Sequence, residues 1–167
     1  NLSPVLIGVT AAGLPASYAW QQADPSVRIA ESETADGGRS VVASRAATDG
    51  ELGWRYDYAV FNLDSSINAV GFEAPVPGVD DVISVRSETF HDADYHSGDP
   101  VDGTDWANLR LAFSTRWDSL PAPALSSLRN TIRWGTLNSF GYSSSSDPDD
   151  TSVRVLLDDG TSLQVPA

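Results

Sequence analysis

The side chains best suited to chemistry are concentrated between Phe90 and Trp106. Both histidines of the chain, His91 and His96, lie in this segment. Five aspartates of the same segment supply the hard oxygen ligands that calcium prefers: Asp92, Asp94, Asp99, Asp102 and Asp105. The composition therefore predicts a calcium site in this segment. The spacing of the aspartates does not match the twelve-residue calcium loop, because no glutamate occupies the last position of that loop.

Other chemistries fit the same residue types. His91, Asp94 and His96 could ligate zinc or iron, but residues five apart on an extended strand point to opposite faces. A histidine beside a serine or an aspartate contains the groups of a hydrolase, yet sequence neighbours on a strand point apart and no nucleophile elbow is present. In the architectural interpretation, Asp and Ser side chains cap turns and the histidines donate to carbonyls, so that the segment is a rigid connection. The sequence leaves these alternatives open.

The composition excludes several classes of function. The 23 acidic and 10 basic residues give a net charge of −13, which repels phosphate backbones and anionic lipids. We therefore expect neither nucleic-acid binding nor peripheral membrane attachment. Pro4, Gly8, Gly13 and Pro15 interrupt the uncharged N-terminal residues, so we also expect no membrane insertion. Cysteine, methionine and lysine are absent, which excludes disulfides, thiol catalysis, thiolate metal sites and lysine Schiff bases.

The first 25 residues are predicted to form an arm and a linker, followed by one domain over residues 26–167. Residues 1–23 carry no charge, and alternation places four apolar side chains on one face of an extended strand: Val5, Ile7, Val9 and Ala11. Such a strand either joins the sheet of its own molecule or is donated to a neighbouring copy. Residues 14–25 resemble a linker. Because the sequence starts at Asn1 and not at a methionine, we expect a mature chain at the cell surface or outside the cell.

The remaining chain predicts an all-β protein. Short alternating segments are separated by turn signals such as Asp36-Gly37-Gly38, and the strongest strand, residues 52–63, places Trp54, Tyr56 and Tyr58 on one face. Residues 109–117 are predicted to form one strand, and residues 121–130 the only helical piece. About nine or ten strands indicate an antiparallel β-sandwich, Ig-like or jelly-roll-like. Most of the tryptophans are expected in its core, although Trp54, Trp106, Trp117 and Trp134 could also form a sugar-stacking platform.

Four segments resemble a known group of proteins. Residues 54–63 (WRYDYAVFNL), 90–100 (FHDADYHSGDP), 103–106 (GTDW) and 130–137 (NTIRWGTL) with Phe140 are similar to the C-terminal portion of large exported proteins of planctomycete-type bacteria. The resemblance covers residues 52–167 and implies an exported, β-rich protein, without implying a reaction. The region before residue 52 is shorter than in those proteins and lacks their cysteines.

Together these features favour a non-enzymatic structural or adhesive subunit that forms a homo-oligomer or filament by donating its N-terminal strand. The alternative is a calcium-dependent carbohydrate-binding module for surface glycans, or a hydrolase, that uses residues 90–106.

Overall fold

The protein is a sandwich of two antiparallel sheets. The structure is a computed structural model that describes residues 14–50, 53–76, 85–92, 100–121, 128–149 and 151–167. The elements in these residues are α1 (Ala16–Ala23), β1 (Arg28–Glu33), β2 (Arg39–Thr48), β3 (Trp54–Asn62), β4 (Ala69–Pro75), β5 (Val85–His91), β6 (Ala107–Arg110), β7 (Ser114–Asp118), β8 (Leu137–Ser144), β9 (Ser152–Leu157) and β10 (Ser162–Pro166). The prediction of an antiparallel sandwich with nine or ten short strands is confirmed.

Each sheet has five strands. Sheet A has the order β1-β2-β3-β8-β5, and sheet B has the order β10-β9-β4-β7-β6. The predicted central strand, β3, occupies the middle of sheet A. It pairs with β2 on one side and with β8 on the other.

The core between the sheets is built mainly from aromatic rings. As predicted, the face of β3 that carries Tyr56 and Tyr58 is buried. Tyr56 stacks on Tyr142 with 4.7 Å between ring centroids, and Phe72 of sheet B lies 4.7 Å from Phe140 of sheet A. The stack of Tyr56 on Tyr142 lies within sheet A, whereas the contact between Phe72 and Phe140 joins the two sheets, and each ring buries a large apolar area.

The hairpin between β1 and β2 is held by the carboxylate of Asp36, which accepts hydrogen bonds from several neighbouring groups. Gly37 adopts a φ of 80°, which the predicted Asp-Gly-Gly turn allows because glycine has no Cβ. Asp36 accepts five hydrogen bonds: from Thr34 Oγ1, the Gly38 N–H, Ser65 Oγ, and the N–H and Oγ of Ser66. The Thr34 hydroxyl and the Ser66 donors hold the pKa of Asp36 far below its usual value. The carboxylate thereby ties this hairpin to the connection between β3 and β4.

The linker interpretation of residues 14–25 is wrong, because residues Ala16–Ala23 form helix α1. The segment consists largely of good helix formers, and its more buried positions, Ser17, Trp20 and Gln21, follow helical spacing. Trp20 packs on the outer face of sheet A against Val27, Ala43 and Ala59. Tertiary packing therefore stabilises a helix that is too short to be evident from the sequence.

The prediction of a single strand over residues 109–117 is also wrong. The chain reverses at residues 111–113, where the Leu111 N–H donates to the Ser114 carbonyl, and β6 pairs with β7. Apolar and polar residues continue to alternate through a tight hairpin, and this turn contains no Gly, Pro, Asn or Asp that would have signalled it. Most of the predicted helical piece, residues 122–127, lies outside the described residues.

Candidate functional site

An aromatic cluster fixes the two ends of the central segment. Phe90 at the end of β5 stacks on Trp106 just before β6, with ring centroids 5.6 Å apart. Both rings also contact Phe140 of β8, at 5.5 and 5.4 Å. Trp106 is 4% exposed. Phe90 and Trp106 therefore contact each other at the two ends of residues 90–106. We call this contact, which packs on the core, the base of the central segment.

Asn130 is a second fastening point, which the sequence analysis did not identify. Its side chain is 1% exposed, and its Nδ2 donates to Asp92 Oδ2 at 3.1 Å and to the Thr104 carbonyl at 3.0 Å. One buried amide thus joins the beginning of the segment to its end. No local pattern distinguishes Asn130, because its partners lie 38 and 26 positions away along the chain.

The four resembling blocks meet at this base. Phe90 and Asp92 come from the second block, Thr104 and Trp106 from the third, and Asn130 from the fourth. Phe140, which accompanies the fourth block, completes the aromatic cluster and pairs with Tyr58 of the first block across β3 and β8. These residues therefore share a structural role at the two ends of the segment 90–106.

The aspartates of the predicted calcium site lie in different environments. Asp92 is hydrogen-bonded to Asn130. Asp102 Oδ1 accepts from the backbone N–H and the Oγ1 of Thr104, at 3.0 and 2.7 Å, which is a local turn cap. Asp105 is exposed. Asp94, Asp99 and His96 lie outside the described residues. Within the part of the chain that is described, no three His, Cys, Asp or Glu residues come together as a metal site.

His91 is the last residue of β5 and is exposed. It pairs with Ser139 across β5 and β8, on the outer face of sheet A. A groove of about 250 Å³ on this face lies between His91 and Trp20 of α1, with Arg55, Asp57, Ala59, Thr89 and Ser139 among its lining residues. Sequence analysis did not predict this groove because Trp20 was assigned to a linker.

A second cavity, of about 230 Å³, has Tyr56, Tyr58 and Tyr142 in its lining. The Tyr142 hydroxyl donates to the Pro75 carbonyl and the Tyr56 hydroxyl to the Ser146 carbonyl, at 2.8 and 2.9 Å. Burial raises the pKa of Tyr58 to about 12. These phenols stay protonated at neutral pH, and their hydrogen bonds indicate a structural role.

The four tryptophans considered as a sugar platform do not share one surface. Trp106 and Trp117 are buried core residues, as expected. Trp54 is partly buried and donates from Nε1 to Asp147 at 2.6 Å, whereas Trp134 is 73% exposed. The platform interpretation of these four residues is therefore wrong.

The edge of sheet B exposes apolar side chains. Leu109 of β6 is 50% exposed, and Phe113 in the following turn is 61% exposed. Phe113 also lines a shallow groove of about 470 Å³ together with Pro75, Leu111 and Ala112. Among the described residues, β6 pairs only with β7. This edge therefore combines one unpaired side of a strand with apolar contact area.

The predicted assembly residues Val5, Ile7, Val9 and Ala11 lie outside the described residues. No helix in the described part of the chain is both long and apolar enough to cross a membrane. No protein-family model and no curated protein matches the sequence. The fold and the described side chains define the class of the protein as an acidic, all-β sandwich.

Proposed function

We propose that this chain is a structural or adhesive subunit of the cell surface or the extracellular space, and that residues 1–13 assemble it by adding a strand to a neighbouring copy. The exposed apolar side chains at the β6 edge of sheet B, where β6 pairs only with β7 within the described part of the chain, are the single observation that carries this proposal. The resemblance of residues 52–167 to exported proteins supports the location.

The proposed acceptor is β6 with the turn that follows it. A donated strand gains main-chain hydrogen bonds from an edge strand, and its alternate side chains gain apolar contacts. The apolar side chains of residues 5, 7, 9 and 11 share one face if the segment is extended, and that face would cover Leu109 and Phe113. Burial of such side chains contributes about 25 cal/mol per Å² of apolar surface.

The charge distribution also supports assembly through this segment. All 33 charged Asp, Glu and Arg residues lie within residues 24–167, so sandwich bodies repel one another when they approach. Residues 1–13 are uncharged and would reach about 43 Å if fully extended, at about 3.3 Å per residue. They could therefore join two acidic bodies without close contact between like charges.

Sedimentation velocity of the full chain and three variants tests the proposal. We expect the full chain to form multimers, the variant lacking residues 1–13 to be a folded monomer, and Leu109→Asp with Phe113→Asp to be monomeric as well. A mixture of the deletion variant and the double variant should form only heterodimers, because the first retains the acceptor and the second retains the donor. Trp134→Asp, which changes another exposed apolar residue, serves as the matched control and should not affect assembly.

A monomeric full chain, a deletion variant that still forms multimers, or loss of assembly in the Trp134→Asp control would each contradict the proposal. Circular dichroism of every variant verifies that the sandwich is folded, so that loss of multimers reports on assembly.

A further inference from the structure

The groove on the outer face of sheet A has the form of a binding site. Helix α1 covers this face above β1 and β2, and Trp20 packs against Ala43 and Ala59. Beyond Trp20, the groove continues over β3, β8 and β5 to Thr89 and His91. It therefore has an aromatic wall on one side and polar side chains on the other.

Strand register explains why the floor of the groove is low. One row across the sheet consists of Ala43, Ala59, Ser139 and His91, in which all but the last residue are small. The neighbouring row includes Gly141, where a Cβ would lie 2.9 Å from both the Tyr56 carbonyl oxygen and Thr89 Oγ1. Trp20 packs on Ala43 of β2 and Ala59 of β3, so it faces His91 of β5 across the small residues of this floor.

The charges around the groove are balanced. Arg45 bonds to Asp24 at 2.9 Å and to Asp57 at 3.2 Å, and Arg55 bonds to Asp57 at 2.8 Å. Two guanidinium groups thus face two carboxylates, which leaves no excess charge to select an ion. Neutral donors and acceptors at Ser139 and Thr89, together with the ring nitrogens of His91, complete the lining.

We infer that this groove binds a neutral, hydroxyl-rich carbohydrate chain. The Trp20 ring, which packs on the sheet and lies 6.0 Å from the Arg45 guanidinium, supplies an apolar wall beside which a sugar ring packs. The polar residues opposite supply hydrogen bonds to hydroxyl groups. The low floor over Ala59 and Ser139 gives a ring access to the sheet surface. The site requires no metal ion, and it is independent of the strand addition proposed above.

The uncharged residues 1–13 of a second copy are a less suitable occupant. The apolar side chains of that segment would cover the hydrogen-bonding groups of Ser139, Thr89 and Asp57 without satisfying them, at a cost of about 1–3 kcal/mol for each buried polar group. A polyol satisfies such groups, whereas an apolar strand does not.

Affinity gel electrophoresis with EDTA tests the inference on the full chain, using a panel of neutral polysaccharides: hydroxyethylcellulose, xylan, galactomannan, laminarin and dextran. We expect retardation by at least one of them. Ser139→Leu, which fills the floor, and His91→Ala, which removes one wall, should each weaken binding by tenfold or more. The matched controls are Ser162→Leu, which changes an exposed serine of β10, and Trp134→Ala, which removes an exposed tryptophan outside the groove.

Both controls should bind as the unmodified chain does. The inference would be overturned if the chain bound none of the five polysaccharides. Unchanged binding by Ser139→Leu, or loss of binding in the Trp134→Ala variant, would overturn it as well. Thermal melting of each variant verifies folding, and sedimentation of the same samples separates a binding defect from an assembly defect.

Discussion

The protein contains two buried asparagines whose replacement by leucine should have opposite effects on stability. Asn138 in β8 is 0% exposed, and neither its Nδ2 nor its Oδ1 has a hydrogen-bond partner among the described residues. Asn62 in β3 is 3% exposed but fully engaged. Its Nδ2 donates to the carbonyls of Ile67 and Ile132, at 3.0 and 3.4 Å, and its Oδ1 accepts from the Ser65 N–H at 3.0 Å.

The difference in hydrogen bonding sets the expected magnitudes. A buried polar group without a partner costs about 1–3 kcal/mol, so Asn138→Leu should raise the free energy of unfolding by that amount. In a domain of this size, such a change should raise Tm by about 3–9 °C. Asn62→Leu removes the partners of the Ser65 N–H and the Ile67 carbonyl, whereas the Ile132 carbonyl still accepts from the Ala69 N–H, and should lower the free energy of unfolding by about 2–4 kcal/mol.

Urea denaturation followed by tryptophan fluorescence measures both changes, and differential scanning calorimetry measures Tm. Asn138→Ala is a useful second variant because it removes the amide without adding volume, so a steric effect of leucine can be recognised. If Asn138→Leu and Asn138→Ala both destabilise the protein as much as Asn62→Leu does, the amide of Asn138 is satisfied in solution and the reasoning is wrong.

Three further outcomes are expected. Asp36→Asn should lower the urea midpoint at pH 7. The difference from the unmodified chain should shrink as pH falls below about 4, because the hydrogen bonds that depress the pKa of Asp36 stabilise the folded state only while the carboxylate is ionised. The control Asp105→Asn, at an exposed site, should change the midpoint little at either pH. Gly141→Ala should cost about 1–3 kcal/mol because its Cβ would lie 2.9 Å from the Tyr56 carbonyl oxygen, whereas Gly103→Ala meets no atom within 4 Å and should be neutral in the same denaturation assay. EDTA should leave Tm unchanged, because the contact between Phe90 and Trp106 and the hydrogen bonds of Asn130 hold the two ends of residues 90–106 together without an ion. A calcium-dependent rise in Tm would contradict this expectation.

The sequence was most informative where local rules and burial agree. The alternation of Tyr56 and Tyr58 in β3 predicted both the strand and its buried face, because side chains on a strand alternate between core and solvent. Asp36-Gly37 predicted a hairpin because the turn needs a residue that adopts positive φ. Such signals are contained in a few neighbouring residues and depend little on distant parts of the chain.

The candidate sites depended on contacts between distant residues. Nothing in the sequence indicated that Asn130 would bond to Asp92 and Thr104, or that Trp20 and His91 would face each other across sheet A. Helix α1 was missed because its stability comes from packing on the sheet and not from its eight residues alone.

By itself, the sequence determined that this is an acidic, cysteine-free, all-β protein, because composition and period-two alternation fix those properties locally. Only the tertiary structure decided which polar side chains are satisfied, which face of a sheet remains open and which edge carries exposed apolar residues. These properties depend on strand order and register, and residues 94 positions apart become neighbours, as Asp49 and Ser143 do.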